Sequence, residues 1–236
     1  MECRLCHQKL LITLSVKILF VPQVILSDYL CTSCRETFSR IDESLDKRCH
    51  NCCKLMTRQQ TGGICQDCLE WQKIEPKKCL HHQALFDYNN EMKDFFKQFK
   101  FHGNYRLADT FALTFRDYLK PMRQKHQLIV PIPLADNRLR QRGFNQVEAM
   151  LQASQLPYCS LLTKEDTTQA QSEKTRYERL LTKQSFSVKK KYFKTIRHQS
   201  IILIDDIYTT GKTLRLARDC LLQQGVKTVS SVSLAR

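Results

Sequence analysis

Short apolar runs in the second half of the chain predict buried strands. The two strongest runs lie at 128–134 and 201–204, and both are rich in branched aliphatic residues. Apolar runs of this kind between turn signals are typical of strands that are buried on both faces. Weaker runs predict two further strands at 158–162 and 228–234.

Segments with helical periodicity lie between these runs. Helices are predicted at 146–155 and 213–224, so strands and helices alternate along this half of the chain. That alternation is typical of an α/β fold with a largely parallel sheet flanked by helices. Residues 80–127 are also predicted to be helical, because three phenylalanines between 95 and 99 recur at the spacing of one helix face.

The most informative segment follows the run at 201–204. Two carboxylates, Asp205 and Asp206, come directly after this strand, at the edge where open α/β sheets bind ligands. A turn then opens the helix at 213–224, and its backbone N–H groups, its hydroxyls and the helix dipole can converge on one anion. The residues of this turn with anion-binding potential are Thr209, Thr210, Gly211, Lys212 and Thr213.

This turn ends like the phosphate loop of nucleotide triphosphatases, but it lacks a required residue. The Walker A motif needs a glycine five residues before Gly211, and Asp206 occupies that position. The segment 201–213 instead resembles the motif with which type I phosphoribosyltransferases bind phosphoribosyl pyrophosphate (PRPP). The resemblance implies that residues 209–213 hold the 5′-phosphate of PRPP. It also implies that Asp205 and Asp206, the candidate catalytic pair, contact the ribose hydroxyls, and as carboxylates they suit the Mg²⁺ that accompanies PRPP.

A second anion site is predicted in the polar stretch 135–146, which we expect to be a loop. Arg138, Arg140 and Arg142 stand at alternate positions there, just before Gly143. Guanidinium groups bind phosphate through paired hydrogen bonds, so these arginines suit a bulkier anion such as pyrophosphate. Three surface arginines without a ligand are the alternative interpretation.

Further segments resemble the ComF family of competence proteins. The stretches 130–134 and 138–146 follow the pattern of that family, and so does the Lys-aromatic-x-Gly sequence at 100–104. The stretch 163–183 is polar and without a steady period, which predicts a mobile loop. In this loop Thr168, Gln171 and Arg179 fit the family, whereas Lys174 and Thr182 depart from it.

The resemblance implies an organisation and a function. It implies a double zinc ribbon in residues 1–79 and a type I phosphoribosyltransferase-like domain in residues 80–236. It further implies that the protein assists the internalisation of single-stranded DNA in natural transformation, together with a DEAD-box-like DNA translocase. The expected location is the cytoplasm, at the inner face of the membrane.

The cysteines independently predict metal binding in the first part of the chain. Ten of the 12 cysteines lie in residues 1–79, and eight of them form Cys-x-x-Cys pairs. Two such pairs complete one tetrahedral zinc site, so eight thiolates predict two structural zinc ions. We expect the first two pairs to share one ion and the last two the other, with an interleaved pairing as the alternative. The predicted ligands are Cys3, Cys6, Cys31, Cys34, Cys49, Cys52, Cys65 and Cys68, with His50, Cys53, Cys79 and His81 as spare ligands.

The surplus of basic residues favours polyanionic partners. The formal net charge of +15 suits nucleic acid, nucleotides or an anionic membrane surface. The stretch 189–197 mixes basic residues with two aromatics, which suits single-stranded DNA or, equally, one solvated strand with core aromatics. Polar residues and a proline interrupt the apolar run at 10–30, so stable membrane insertion is not expected.

Three functional hypotheses follow. The first is a PRPP-binding accessory protein for DNA uptake. The second is an active phosphoribosyltransferase, for which no residue identifies the acceptor. The third is a zinc-ribbon nucleic-acid-binding module that carries a vestigial PRPP site.

Overall fold

The structure is a computed structural model that describes residues 1–10, 27–42, 47–56, 62–76, 79–122, 127–166 and 184–236. The segment predicted to be a mobile loop lies largely outside the described residues, and so do its residues Thr168, Gln171, Lys174, Arg179 and Thr182.

Four of the described strands form a parallel sheet. Their order across the sheet is β1-β6-β5-β2, and β3 and β4 form a separate antiparallel pair. The α/β fold with a parallel sheet that the sequence predicts is therefore confirmed. The strands are β1 (His82–Phe86), β2 (Gln127–Pro131), β3 (Leu162–Lys164), β4 (Phe186–Val188), β5 (Ser200–Ile207) and β6 (Thr228–Ala235).

Helices cover both faces of this sheet. Alternate residues of a strand face opposite sides, so Ile202 and Ile204 of β5 join one apolar cluster, while Ile201 and Leu203 join the other. The first cluster also contains the phenylalanines between 95 and 99, and the second contains residues of the last helix. The described α-helices are α1 (Thr32–Glu36), α2 (Gln66–Ile74), α3 (Asn90–Phe101), α4 (Ala112–Met122), α5 (Asp136–Arg142), α6 (Gln146–Ala153) and α7 (Lys212–Gln223).

The cysteine-rich segment packs directly on the sheet and its helices. Phe38 packs edge-on against Phe95 and Phe111 in the first cluster, and the second cluster includes buried cysteines such as Cys49. Ion pairs add to this apolar contact: Arg48 lies 2.9 Å from Asp87, with the guanidinium almost fully buried. The two parts of the chain thus share core residues.

Three local expectations are wrong. The segment 80–127 begins with a strand, β1, because His82 and its neighbours pair with β6, a contact that no local pattern reports. The strand expected at 158–162 is found at 162–164, where it pairs with β4. The polar stretch 135–146 contains a helix, α5, which ends at Gly143 in the left-handed conformation (φ 79°). Its boundaries are set by local backbone preferences and not by apolar periodicity.

None of the described helices combines the length and the hydropathy needed to cross a membrane.

Candidate functional site

The two adjacent carboxylates lie at the carboxyl end of β5, the central strand beside β6 and β2. Asp205 and Asp206 are both half-buried, and each accepts a hydrogen bond from a backbone N–H: that of Asp206 donates to Asp205 Oδ1 (2.9 Å) and that of Ile207 donates to Asp206 Oδ1 (2.6 Å). The ammonium of Lys100, at the end of α3, lies 2.7 Å from Asp206 Oδ2. The pair is therefore held in place by its own backbone and by one lysine.

The first carboxylate of the pair is electrostatically strained. Burial, followed by the neighbouring charge of Asp206, raises the pKa of Asp205 to about 7, against the opposing influence of Lys100 and Lys164. A carboxyl group poised near neutral pH at a strand end is a common property of functional sites. A cation or a hydroxyl donor that binds there would favour the charged form.

Arg142 and a second lysine, Lys164, interact electrostatically with the same carboxylates, and Arg138 interacts with both of these cations. Burial lowers the pKa of Arg142, and the charges of Asp206 and Asp205 oppose that shift, while Arg138 adds to it. Burial likewise lowers the pKa of Lys164, and here the charge of Asp205 is the largest opposing influence. Sequence reasoning missed Lys164, because it lies within the aperiodic stretch 163–183 and becomes part of the site only when β3 pairs with β4.

The third predicted arginine lies apart from the other two. Arg138 and Arg142 are four residues apart and share one face of α5, whereas Arg140 is turned roughly 200° from Arg138 around the helix axis. The side chain of Arg142 donates to Gln146 Oε1 (3.1 Å), which orients it, while Arg140 is exposed. Of the three, Arg142 interacts electrostatically with the acid pair, whereas Arg138 and Arg140 are both exposed.

The hydroxyl-rich turn joins β5 to the N-terminus of α7. Thr209 and Thr210 are exposed, and Gly211 adopts a left-handed conformation (φ 76°) as the N-cap of α7. A Cβ atom at this glycine would lie 2.2 Å from the hydroxyl oxygen of Tyr208, so no larger residue fits. The turn, named here the hydroxyl loop (residues 209–213), therefore exposes backbone and hydroxyl groups at the positive end of a helix.

A cavity of about 550 Å³ borders the same lysine. Lys164 lines it, together with Glu148, Ser160 and Asp166, and the Ser160 hydroxyl donates to Glu148 (2.6 Å). This volume lies in the range of small-molecule sites. The arrangement leaves room for a small molecule beside Lys164.

The eight predicted zinc ligands form two groups of four. Within each group the sulfur atoms all lie within 4.8 Å of one another. The first cysteine cluster consists of Cys3, Cys6, Cys31 and Cys34, and the second cysteine cluster consists of Cys49, Cys52, Cys65 and Cys68. The expected pairing of the hairpins is therefore confirmed. The spare ligands His50, Cys53, Cys79 and His81 belong to neither group.

The geometry of both clusters fits zinc. Four sulfurs around a tetrahedral zinc lie about 3.8 Å from one another, and the Cys6–Cys31 and Cys52–Cys65 sulfur pairs are each 3.6 Å apart. Two Cys₄ groups could thus hold structural zinc.

The relatives of the chain are competence proteins. No protein-family model matches it. It is 40% identical over 239 residues to competence protein ComFC of Streptococcus pneumoniae, with all of both chains covered. It is 32% identical over 239 residues to ComFC of Bacillus subtilis, covering 99% of this chain and 94% of that one. It is 25% identical over 229 residues to competence protein F of Haemophilus influenzae, covering 89% and 97%.

Two solved structures show a partial likeness to the chain. The allosteric regulatory enzyme of purine biosynthesis matches with a TM-score of 0.34 and 12% identity, covering 53% of this chain and 26% of that one. A hypoxanthine phosphoribosyltransferase from Staphylococcus aureus matches with a TM-score of 0.31 and 15% identity, covering 54% and 61%. Both TM-scores lie below 0.5, so the family assignment depends on the sequence relatives.

Proposed function

Because this chain belongs to the ComF family of competence proteins, we propose that it binds PRPP and assists the internalisation of single-stranded DNA in natural transformation. Residues 1–79 supply the zinc ribbons in this proposal, and residues 80–236 supply the PRPP site. The protein acts in the cytoplasm, at the inner face of the membrane, with a DEAD-box-like translocase as its partner.

The observation that carries the PRPP proposal is the adjacency of the acid pair and the hydroxyl loop, which only Ile207 and Tyr208 separate along the chain. The loop offers N–H groups, hydroxyls and a helix N-terminus to a 5′-phosphate. Asp205 and Asp206 can accept hydrogen bonds from two vicinal ribose hydroxyls. One ligand with a phosphate and a diol on neighbouring carbons satisfies both groups.

The cations around the acid pair account for the pyrophosphate of the ligand. Arg142 of α5 and Lys164 of β3 interact electrostatically with the acid pair, Arg138 shares a face of α5 with Arg142, and guanidinium groups bind phosphate bidentately. The carboxylates are also suitable ligands for the Mg²⁺ that accompanies pyrophosphate. Asp205 would then be fully ionised, because a bound cation favours the carboxylate.

The basic stretch at 189–197 supports the DNA part of the proposal. Lys190, Lys191 and Lys194 are exposed, and the ring of Phe193 is 39% exposed, which leaves it available for stacking on an unpaired base. Tyr192 instead packs against the second apolar cluster, as the alternative interpretation expects. One of the two aromatics is therefore positioned to meet a ligand.

Calorimetric titration of PRPP with Mg²⁺ into the zinc-loaded chain tests the site. We expect the wild type to bind and Asp205→Asn to lose at least tenfold in affinity, while Asp117→Asn, an exposed change on α4, binds as the wild type does. A wild-type chain that does not bind PRPP would refute the proposal. The vestigial site of the third hypothesis would then stand.

Binding of single-stranded DNA at several salt concentrations tests the basic stretch. Each lysine that contacts a phosphate contributes a slope of about −0.7 to the dependence of log affinity on log salt. Replacing Lys190 and Lys191 by Gln should flatten that slope by up to about 1.4 and weaken binding. Replacing Lys93 and Lys97 of α3, which are exposed basic residues elsewhere, should lower the affinity less. Equal effects of the two pairs would indicate that this stretch is only a solvated surface.

The cavity beside Lys164 favours a second candidate function, that of an active phosphoribosyltransferase. An acceptor in this cavity could attack the ribose C1 as the bond to pyrophosphate breaks, and the arginines of α5 would hold the departing pyrophosphate. Release of pyrophosphate on addition of free bases or DNA would establish catalysis. Tight PRPP binding without release would favour the accessory function.

A further inference from the structure

Two side chains that sequence reasoning did not single out bind backbone carbonyls on one side of the hydroxyl loop, which we call its outer side. The indole N–H of Trp71 donates to the carbonyl of Thr210 (2.9 Å). The guanidinium of Arg236 donates to the carbonyl of Thr209 (2.9 Å) and to that of Tyr208 (3.4 Å). Three consecutive carbonyls of the chain are thus drawn to one side.

The geometry of the peptide bond then determines the direction of the N–H groups, which point to the opposite, inner side of the loop. In a planar trans peptide the C=O and the following N–H point in opposite directions. When the carbonyls of Tyr208, Thr209 and Thr210 point outward, the N–H groups of the next residues, Thr209, Thr210 and Gly211, point inward. Successive N–H groups that converge in this way form an anion-binding concavity.

Both side chains are anchored in the second cysteine cluster. Trp71 belongs to α2, the helix that begins directly after Cys65 and contains Cys68. Arg236 also donates to the carbonyl of Cys52 (3.1 Å) and to its sulfur (3.2 Å). The orientation of the loop carbonyls therefore depends on the folded state of this cluster.

Further contacts tie the same ribbon to the helix behind the loop. The guanidinium of Arg215, on α7, lies 4.6 Å from the Trp71 ring centre, and Glu75 pairs with Arg218 of α7 (2.6 Å). Arg218 is 2% exposed, so this ion pair is shielded from water. The first cysteine cluster instead packs on the opposite apolar cluster, next to Phe38.

We propose that Trp71 and Arg236 are positioning residues that make phosphate binding by the hydroxyl loop depend on the second cysteine cluster and not on the first. The inference rests on the proposed function, in which this loop holds the 5′-phosphate of PRPP. Loss of metal at the second cluster would release the two side chains and let the loop carbonyls turn inward. Phosphate affinity would fall although the acid pair is intact.

The test compares two ligands that use different parts of the site. Ribose 5-phosphate depends on the hydroxyl loop, whereas pyrophosphate with Mg²⁺ depends on the acid pair and the arginines of α5. Loss of one hydrogen bond to the loop corresponds to roughly a fivefold loss of affinity. In the full zinc-loaded chain, Trp71→Phe and Arg236→Gln should each weaken ribose 5-phosphate binding by about that factor and leave pyrophosphate binding unchanged. A general loss of structure would weaken both ligands together.

A matched pair of cysteine variants tests the dependence on the cluster. Cys52→Ser and Cys6→Ser each remove one thiolate from a Cys₄ group, and the retained zinc is measured for both. We expect Cys52→Ser to weaken ribose 5-phosphate binding at least tenfold and Cys6→Ser to leave it within twofold of the wild type. Trp71 is the single tryptophan of the chain, so its fluorescence should respond when ribose 5-phosphate binds.

The outcomes separate this inference from the function on which it rests. If the wild type binds PRPP but the Trp71, Arg236 and Cys52 variants bind ribose 5-phosphate as well as it does, the inference is wrong and the function stands. If Cys6→Ser weakens binding as much as Cys52→Ser, the dependence on one cluster is refuted. If the wild type binds neither PRPP nor ribose 5-phosphate, the proposed function itself fails.

Discussion

Replacing Asp205 by Asn should make the protein more stable while weakening its binding of PRPP at least tenfold. Asparagine keeps the shape of the side chain, and its oxygen can still accept the hydrogen bond from the Asp206 N–H (2.9 Å). What it removes is a charge that burial and the neighbouring carboxylate disfavour. A gain in stability with a loss of binding distinguishes a strained functional group from a structural one.

The magnitude follows from the pKa of Asp205, which rises from 3.8 to about 7 in the folded chain. Between these two values the folded protein holds a proton that the unfolded chain has lost, so the free energy of unfolding falls as pH rises from about 4 to about 7, and it is level above. At 1.36 kcal/mol per pKa unit, the ionisation of Asp205 lowers the free energy of unfolding of the wild type by on the order of 4 kcal/mol near pH 8.5. Near pH 5.5 it lowers it by on the order of 2 kcal/mol. Asp205→Asn should recover these amounts.

Urea unfolding of both proteins at the two pH values, with zinc present throughout, measures the effect. The gain should be about twice as large at the higher pH, and Asp117→Asn, at the exposed surface of α4, should show no such dependence. An Asp205→Asn gain that is the same at both pH values, or a loss at either, would refute the assignment of a strained carboxylate.

Three further measurements test other parts of the structure. A double-mutant cycle of Lys100→Met and Asp206→Asn should give a coupling energy of about 1 kcal/mol for this ion pair, because both groups are largely buried. Additive effects of the two substitutions on the free energy of unfolding would contradict the contact. Gly211→Ala should lower the free energy of unfolding by at least about 2 kcal/mol, because its Cβ would meet a tyrosine ring and its φ is positive; an unchanged urea midpoint would speak against this turn. Metal analysis should find two zinc ions in the wild type and one in Cys68→Ser. This variant should unfold at a lower temperature than Cys6→Ser, because Cys68 lies in the core and Cys6 at the surface. The reverse order of unfolding temperatures would contradict the burial of the second cysteine cluster.

The parts of the fold that the sequence predicts well are those with a strong local signal. The strands at 128–134 and 201–204 and the last helix are found within a few residues of their expected positions, because apolar runs and helical spacing report burial directly. The cysteine pairing is confirmed for a similar reason, since Cys-x-x-Cys hairpins are preformed ligand pairs. β1 and α5 were missed because one depends on pairing with a distant strand and the other on its end at Gly143.

Short stretches of sequence are enough to identify the acid pair, the hydroxyl loop and the eight zinc ligands, since each needs particular side chains at fixed local spacing. Only the tertiary structure decides which groups meet across the chain. It brings Lys100 and Lys164 to the acid pair and places Trp71 and Arg236 behind the loop. These contacts join residues up to 139 positions apart for Trp71 and Thr210, and they exist because the packing of ribbon, sheet and helix fixes distances that no local pattern contains.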